Sequence, residues 1–155
     1  MAKVLTSEEV TTRKMTLADI DAVMKIDAES FATTWPRDIF ERELTENHFS
    51  TYLVMEMNGQ VIGYVGMWMI IDEAQITNIA VLPSYRGKQL GSYLFEQAIR
   101  VALSSRMAKL SLEVRVSNIR AQHLYRKFGL VPGGIRKNYY TDNQEDAVVM
   151  WVDFK

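Results

Sequence analysis

The sequence contains no cysteine and only two histidines, His48 and His123. Disulfide bonds, thiolate metal sites and a cysteine nucleophile are therefore excluded, and too few imidazoles remain for ordinary metal chemistry. We expect no bound metal and interpret both histidines as structural. No uninterrupted apolar run is long enough to span a membrane, and residues 1–9 lack the apolar core of a signal peptide. A cytoplasmic protein without a membrane partner is expected.

An excess of charge of either sign is also missing. Eighteen Lys and Arg residues stand against 19 Asp and Glu residues, which gives a formal net charge of -1. A near-neutral chain without a basic block attracts nucleic acid poorly, so no nucleic-acid partner is expected. The 155 residues, 48% of them hydrophobic, suffice for one core but not for two. We predict a single domain over residues 1–155 that acts as a monomer.

Hydrophobic periodicity and turn signals predict the order of strands and helices. Asn58-Gly59 between two apolar runs is the strongest short hairpin signal, and the next strand extends this hairpin into a meander. A later strand follows a helix and should return parallel to its neighbour. The predicted fold is α/β (α+β), a mixed, mostly antiparallel sheet of about seven strands flanked by about four helices. The strands are expected at 11–15, 50–57, 60–68, 73–81, 109–114, 131–140 and 147–152, and the helices begin near Thr16, Pro36, Gly91 and Asn118.

Capping and glycine signals mark irregular positions in this pattern. Thr16 and Asn118 are typical residues at the start of a helix. Gly129 is expected in the left-handed conformation that ends the last helix. The pair Gly133-Gly134 predicts a bulge or bend in the sixth strand.

The segment from Asn78 to Ser92 predicts a strand, a tight basic turn and a helix. Pro83 ends the strand, and Gly87 and Gly91 stand where the backbone must bend. Free backbone N–H groups would gather at the positive end of the new helix and form an anion-binding turn. Arg86 and Lys88 add positive charge, which suits a phosphate-bearing cofactor. The same kind of turn is also common as plain structure.

The order of several short motifs resembles the GNAT acyltransferase family. The second half of the chain also looks like the bacterial ribosomal-protein-alanine N-acetyltransferases. One departure is Gln89, which stands where the family's phosphate motif has its central glycine. The motifs are Asn78-Ile79-Ala80-Val81, Arg86-Gly87-Lys88-Gln89-Leu90-Gly91, Leu112-Glu113-Val114-Arg115, Ser117-Asn118, Leu124-Tyr125, Phe128-Gly129 and Asn138-Tyr139-Tyr140.

This resemblance implies direct transfer of acetyl from acetyl-CoA to an amine, with the cofactor in a wedge where the two parallel strands separate. In the matching positions Glu113 acts as the general base and Tyr125 as the acid near the leaving sulfur, and a backbone N–H of Val81 or a neighbour stabilises the oxyanion. The implied cofactor contacts are Ile79, Ala80, Val81, Arg86, Gly87, Lys88, Gln89, Leu90, Gly91, Ser92 and Asn118. The residues implied to line a peptide groove are Phe31, Trp35, Tyr139 and Tyr140.

The chemistry of the residues leaves alternatives open at each of these positions. An α-amino group titrates near pH ~8, so a base must remove its proton before it attacks a thioester. Glu113 could be that base or a solvated carboxylate at a strand end. Tyr125 could be an acid or a packing residue, and Asn118 could contact the cofactor, cap a helix or do both.

We expect an enzyme that acetylates the N-terminal alanine of a small-subunit ribosomal protein. One alternative is a GNAT enzyme that acts on a small amine or on lysine side chains, and another is a non-catalytic acyl-CoA-binding sensor. A sensor could dispense with Glu113 and Tyr125. A small-amine enzyme would enclose its substrate with acidic residues, whereas the expected groove is aromatic and carries Arg136 and Lys137.

Overall fold

The computed structural model describes residues 10–87 and 89–154. Its strands are β1 (Val10–Lys14), β2 (Ser50–Met57), β3 (Gln60–Ile70), β4 (Glu73–Val81), β5 (Lys109–Arg115), β6 (Val131–Arg136) and β7 (Ala147–Asp153), and its helices are α1 (Ile20–Ser30), α2 (Arg37–Thr45), α3 (Leu90–Ser104) and α4 (Ile119–Lys127). All seven strands form one sheet in the order β1-β2-β3-β4-β5-β7-β6. The predicted mixed, mostly antiparallel sheet is confirmed. No helix in the described ranges combines the length and the apolar character needed to cross a membrane.

The first four strands form an antiparallel meander. Asn58 and Gly59 have φ angles of +53° and +78°, which is the tight-turn conformation that an Asn-Gly pair adopts readily. The turn places Met57 opposite Gln60 and so sets the register of β2 against β3. The predicted hairpin and the strand that follows it are confirmed.

The parallel strands β4 and β5 pair only at their beginnings. Residues 73–75 pair with residues 109–111, and no further pair between these strands occurs within the described residues. A register shift beside Gly66 lets β4 bend away, while β5 stays paired with β7 as far as Arg115. The second halves of β4 and β5 therefore separate. The gap between them opens the site described below.

Aromatic side chains fix the helices around this gap. Phe40 of α2 packs against Tyr64 of β3 with ring centroids 6.1 Å apart. Phe95 of α3 contacts Tyr125 and Phe128, at 4.9 Å and 5.2 Å between centroids. Phe40 and Phe95 are fully buried, and burial of such a ring stabilises the fold by about 1.5–3 kcal/mol. Tyr125 is therefore held by α3 at a defined position.

Of the two predicted caps, Asn118 is confirmed, whereas Thr16 precedes a 3-10 turn (Leu17–Asp19) and α1 begins only at Ile20. The Asp19 carboxylate accepts a hydrogen bond from the Thr16 N–H at 2.7 Å, and a 3-10 turn precedes α1. The Asn118 side chain accepts from the Ala121 N–H at 3.1 Å and caps α4. Gly129 follows α4 with a φ of +92°, so the predicted left-handed end is confirmed.

Two predicted boundaries are wrong. Pro36 is not the first residue of α2 but the extended residue before it, with φ -72° and ψ 164°. The predicted end of the sixth strand at Tyr140 is also wrong, because β6 ends at Arg136 and Asn138 then turns the chain with a φ of +52°. The loop 137–146 follows, so its two tyrosines stand on a loop and not on a strand.

The Gly133-Gly134 bulge is confirmed. The pairing of β6 with β7 shifts register between Pro132 and Gly134. A Cβ atom on Gly133 would lie 2.5 Å from the indole ring of Trp151, so only glycine leaves room for that ring.

Candidate active site

A turn between β4 and α3 carries most of the residues predicted to bind a cofactor. Gly87 and Gln89 have φ angles of +81° and +63°, so two left-handed residues bend the chain just before α3 begins at Leu90. The prediction that Gly91 stands at a bend is wrong, because Gly91 lies in the first turn of α3 and Gln89 takes the left-handed position instead. The prediction for Lys88 falls outside the described residues.

This turn forms one wall of a cleft with a volume of about 620 Å³, which we call the cationic cleft. Its lining includes Arg86, Arg120, His123 and Lys127 and, among the described residues, no Asp or Glu. The first N–H groups of α3 have no intrahelical partner and carry the positive end of the helix dipole. The residues present therefore fit a phosphate-bearing ligand such as acetyl-CoA. The predicted cofactor residues that line the cleft are Ile79, Ala80, Val81, Arg86, Gly87, Gln89, Leu90, Gly91, Ser92 and Asn118.

Arg86 joins the turn to two other elements. Its Nε donates to the Val81 carbonyl at 3.3 Å, and its Nη2 donates to the Ser30 hydroxyl at 3.3 Å. A guanidinium has five N–H donors. These two bonds therefore leave other donors for an anion in the cleft.

A second cleft, with a volume of about 470 Å³, we call the aromatic groove. Its charged lining residues are Asp27, Glu113 and Asp142 against Arg115, in contrast to the uniformly basic cationic cleft. The aromatic residues predicted to line a peptide groove are brought together here, namely Phe31, Trp35, Tyr139 and Tyr140.

The two clefts meet where β4 and β5 separate. The Leu82 N–H donates to the Ile62 carbonyl of β3 at 2.8 Å. Because successive N–H groups of an extended chain point to opposite edges, the Val81 N–H points towards the gap. The residues that line both clefts are Ser30, Phe31, Ile79, Asn118 and Tyr125.

Glu113 lies on β5 and lines the aromatic groove. Its side chain is only 10% exposed and lies 3.2 Å from Nε of Arg136, and Gln75 donates to it at 3.4 Å. The alternative of a solvated strand-end carboxylate is therefore wrong. Both contacts are made to Oε1, so within the described residues Oε2 has no partner. That oxygen is available to a water molecule or an amine.

The position of Tyr125 is compatible with both roles considered from the sequence. Its residue is 8% exposed and its ring packs on Phe95, yet it also lines both clefts. Burial, with a smaller contribution from Tyr140, raises the pKa of Tyr125 to about 12. The phenol therefore stays protonated at neutral pH and can donate a hydrogen bond where the clefts meet.

Arg115 anchors the loop 137–146, which carries the groove tyrosines. Its Nη2 donates to both carboxylate oxygens of Asp142 at 2.9 Å, and its Nη1 donates to Glu145 at 3.1 Å. The guanidinium carbon also lies 4.0 Å from the centre of the Tyr140 ring. A guanidinium that bridges two carboxylates, combined with a cation–π contact, fixes both the position and the tilt of the loop.

The buried carboxyl of Asp27 supports the opposite wall of the groove. It is 1% exposed and accepts a hydrogen bond from the Tyr64 hydroxyl. Burial raises its pKa, while hydrogen bonds from Tyr64 and from the Trp35 N–H oppose that shift. Asp27 therefore ties the end of α1 to β3 and to the segment that carries Trp35.

Sequence analysis missed several of these residues. The interpretation of His123 as structural does not fit its position, because it is exposed and lines the cationic cleft beside Arg120 and Lys127. The spacing i, i+3, i+7 of these three residues on one helix face was an available signal. Arg115 offered no local signal, because its partner Asp142 is 27 residues away.

Comparison with known proteins gives consistent results. The sequence profile of the acetyltransferase (GNAT) family matches residues 20–130. A protein of Bacillus subtilis (strain 168), to which ribosomal protein bS18-alanine N-acetyltransferase activity is ascribed, is 56% identical over 140 residues, which cover 90% of this chain and 93% of that protein. The ribosomal protein bS18-alanine N-acetyltransferase of Escherichia coli (strain K12) is 35% identical over 134 residues, which cover 85% and 89%.

A solved structure agrees with these relatives. The crystal structure of the ribosomal-protein-S18-alanine N-acetyltransferase from Escherichia coli matches with a TM-score of 0.86 and 31% identity, and the match covers 94% of both chains. The profile covers most of the chain and both relatives align over nearly their whole length, so the resemblance found in the motifs is confirmed. The chain belongs to the GNAT family of acetyltransferases.

Proposed function

We propose that this protein transfers the acetyl group of acetyl-CoA to the α-amino group of the N-terminal alanine of ribosomal protein bS18. The observation that carries the proposal is that a basic cleft and an aromatic groove meet beside Glu113 and Tyr125. The acceptor is the one named for the relatives from Bacillus subtilis and Escherichia coli. Such an acceptor implies action in the cytoplasm. Every group that the reaction needs comes from one chain, so a monomer suffices.

Acetyl-CoA supplies the activated acyl group when it is bound. The turn formed by Gly87 and Gln89, together with the first N–H groups of α3, would hold its pyrophosphate. Arg86 adds a positive charge beside that position. The unpaired edge of β4 from Ile79 to Val81 would then direct the acyl end towards the aromatic groove.

Glu113 is the general base of the proposed reaction. An α-amino group with a pKa near ~8 is mostly protonated at neutral pH and cannot attack. The free Oε2 of Glu113 would accept its proton, directly or through a water molecule. The ion pair with Arg136 offsets the cost of burying the carboxylate. The amine nitrogen then attacks the thioester carbonyl carbon and forms the new C–N bond.

The backbone direction of β4 makes the Val81 N–H the best-placed donor for the oxyanion. It points into the gap between β4 and β5, where the thioester carbonyl would lie. A preorganised donor of this kind stabilises the negative charge that develops on the carbonyl oxygen.

Tyr125 assists departure of the thiolate. A thiol with a pKa near ~8.5 is a stronger acid than a phenol with a pKa of about 12, so complete proton transfer from Tyr125 to the sulfur is uphill. The phenol therefore acts by donating a hydrogen bond as charge develops on the sulfur. The C–S bond breaks, CoA leaves as a thiolate that solvent can protonate, and the acetyl group stays on nitrogen as an amide. Glu113 releases the first proton of the ammonium to solvent and then accepts the second, which the nitrogen loses after the C–N bond has formed.

The charges of the groove favour a peptide over a polyamine. Asp142 is held by Arg115 and Glu113 by Arg136. The third carboxyl of the groove, Asp27, is 1% exposed and accepts a hydrogen bond from the Tyr64 hydroxyl, so none of the three is left for a second cationic amine. The aromatic rings supply rigid contact area for an extended chain terminus. The groove therefore suits one amine at the end of a peptide.

A competition among acceptors tests this proposal. The protein and acetyl-CoA are incubated with a peptide of the first residues of bS18, with the same peptide blocked at its α-amino group, with an N-terminally blocked lysine peptide and with spermidine. Mass spectrometry then locates the acetyl group. We expect acetylation of the free bS18 terminus alone. Preferred acetylation of spermidine or lysine would replace the proposed acceptor, and binding of acetyl-CoA without any transfer would identify a sensor.

A further inference from the structure

The exposed face of α4 presents three basic side chains to the cationic cleft. Arg120, His123 and Lys127 stand at i, i+3 and i+7, so they share one side of the helix. All three are exposed, and within residues 10–87 and 89–154 no carboxylate lies within ion-pair distance of them. Other basic side chains, such as Arg100 and Lys109, do have acidic partners. Arg120 and Lys127 on the α4 face are therefore cations without an internal counter-charge among the described residues.

These cations lie apart from the turn that suits the pyrophosphate. The turn and the start of α3 form one wall of the cleft, and α4 forms another wall that lies against α3 through the Phe95 and Tyr125 rings. Gly91 approaches this second wall, because a Cβ atom on it would lie 3.7 Å from Leu124. The cleft therefore offers two basic regions to one ligand.

Coenzyme A carries two separate anionic groups, its pyrophosphate and the phosphomonoester on the ribose 3′ oxygen. A phosphomonoester bears about -1.5 to -2 charges at neutral pH and offers three acceptor oxygens. Within the described lining of the cleft, the basic side chains outside the turn are those of α4. Arg120 offers a planar fork for phosphate oxygens, and Lys127 offers a flexible point charge.

We propose that the α4 face formed by Arg120, His123 and Lys127 is a subsite for the 3′-phosphate of CoA. Through this subsite the protein distinguishes CoA from dephospho-CoA, which lacks that group. This inference rests on the proposed function, because it requires the cationic cleft to hold CoA.

Calorimetric titration with CoA and with 3′-dephospho-CoA tests the subsite. The full-length protein is compared with Arg120→Gln, Lys127→Gln and the double variant, and the readout is the ratio of the two dissociation constants. The matched control is Arg126→Gln, because Arg126 is also exposed on α4 but does not line the cleft. Melting temperatures verify that each variant is folded.

We expect wild-type protein to bind CoA about tenfold more tightly than dephospho-CoA, as one charge-assisted contact to phosphate would give. Each single variant should lower that ratio, the double variant should bring it close to one, and Arg126→Gln should keep it. A wild-type ratio near one, an unchanged ratio in the double variant, or an equal fall in Arg126→Gln would overturn the subsite. If wild-type protein binds neither nucleotide, the proposed function itself fails.

Discussion

The cationic cleft and the aromatic groove meet at one gap but are built in different ways. The proposed pyrophosphate site of the cleft consists of a backbone turn at Gly87 and Gln89 and the start of α3. The groove consists of side chains on the segment 31–36 and the loop 137–146, and the loop is held by Arg115. Backbone N–H groups bind phosphate whichever side chain the turn carries, whereas a groove made of side chains changes with each substitution. In the proposed reaction, selectivity for the acceptor is therefore expected to reside in the groove.

The cationic cleft and the aromatic groove also differ in the charges of their lining residues. Among its described lining residues the cleft has no carboxylate, which suits a polyanionic cofactor. In the groove, Glu113 and Asp142 are each paired with an arginine. In the proposed reaction, the cleft therefore suits the cofactor, and the groove leaves little unpaired charge beyond the free Oε2 of Glu113 that would accept the proton of the amine. We therefore expect substitutions in the groove to change turnover or the KM for the peptide, and substitutions in the cleft to change affinity for acetyl-CoA.

The largest effect is expected from Glu113→Gln in the groove. The amide keeps the shape but cannot accept the proton of the amine, so turnover at neutral pH should fall by roughly ten- to a thousandfold. Affinity for acetyl-CoA should stay nearly unchanged, because base catalysis acts in the transition state. Steady-state kinetics and calorimetry measure the two quantities.

A matched control is Glu73→Gln. Glu73 accepts a hydrogen bond from Ser111 at 2.6 Å and lines neither cleft, so its variant should keep normal turnover. Equal turnover of wild type and Glu113→Gln from pH 6 to 9 would remove Glu113 from the mechanism. The groove would then not supply the general base.

The next effect in size is expected from Tyr125→Phe at the boundary of the two clefts. Loss of one hydroxyl keeps the ring packed on Phe95 but removes the hydrogen bond to the leaving sulfur, so turnover should fall by about tenfold with little change in melting temperature. Tyr93→Phe is the control, because the Tyr93 hydroxyl donates to the Val10 carbonyl at 3.3 Å and lines neither cleft. An unchanged rate with a lowered melting temperature would leave Tyr125 as a packing residue only.

Arg115→Gln should act on the groove alone. Without its anchor the loop 137–146 loses its fixed position, so KM for the peptide should rise by about fivefold, with a smaller change in kcat and no change in affinity for acetyl-CoA. Arg115→Lys should recover only part of this loss, because an ammonium lacks the two separate nitrogens with which the guanidinium bridges Asp142 and Glu145. A parallel loss of affinity for acetyl-CoA would show that the two regions are not separable.

The ion pairs of Arg115, which anchor the loop 137–146, should not change between pH 6 and 9. Hydrogen bonds from Ser117 first, and from Arg115, hold the pKa of Glu145 at about 2, and Arg115 lowers the pKa of Asp142. Carboxyls with lowered pKa values contribute stability above their ordinary pKa of about 4, and this contribution is lost as the pH falls towards 2. The effect of Arg115→Gln on KM should therefore be constant from pH 6 to 9. A change in that effect within this range would point to a titrating group in the anchor.

The sequence predicted the β2–β3 hairpin and the two ends of α4 well because their signals are local. Asn58-Gly59, the Asn118 cap and the Gly129 end each depend on residues within one or two turns of chain, and each is confirmed. The left-handed bend before α3 was also expected, although it falls on Gln89 and not on Gly91. The residue that takes the left-handed φ in a tight turn is determined by the surrounding turn. A residue other than glycine can adopt this φ at a steric cost.

The walls of the groove were less predictable because distant residues build them. β6 ends before Tyr140, and the loop that carries this residue is held by Arg115, 25 positions earlier in the chain. The partnership of Glu113 with Arg136 likewise joins β5 to β6 across β7. No periodicity within one segment encodes such pairs. The family motifs pointed to Glu113 and the tyrosines, but not to the residues that hold them.

The smallest effect is expected at Gln89 in the cleft. Gln89 has a φ of +63°, a conformation that costs a residue with a Cβ roughly 1–2 kcal/mol. This strain is present before any ligand binds, so its relief affects folding more than affinity. Glycine also gains freedom in the unfolded chain, which offsets about 0.4–1 kcal/mol of the relief. The net change in stability of Gln89→Gly should therefore be small.

Affinity for acetyl-CoA decides whether the turn binds through its backbone alone. With Gln89→Gly the N–H groups remain in place, so the dissociation constant should change by no more than about threefold, which is under 1 kcal/mol. Gln89→Ala is the companion variant, because it removes the amide but keeps the Cβ and its strain. Calorimetric titration of acetyl-CoA into all three proteins gives the comparison. A tenfold weakening in both variants would make the Gln89 amide a phosphate donor, and the turn would then depend on side-chain identity as the groove does.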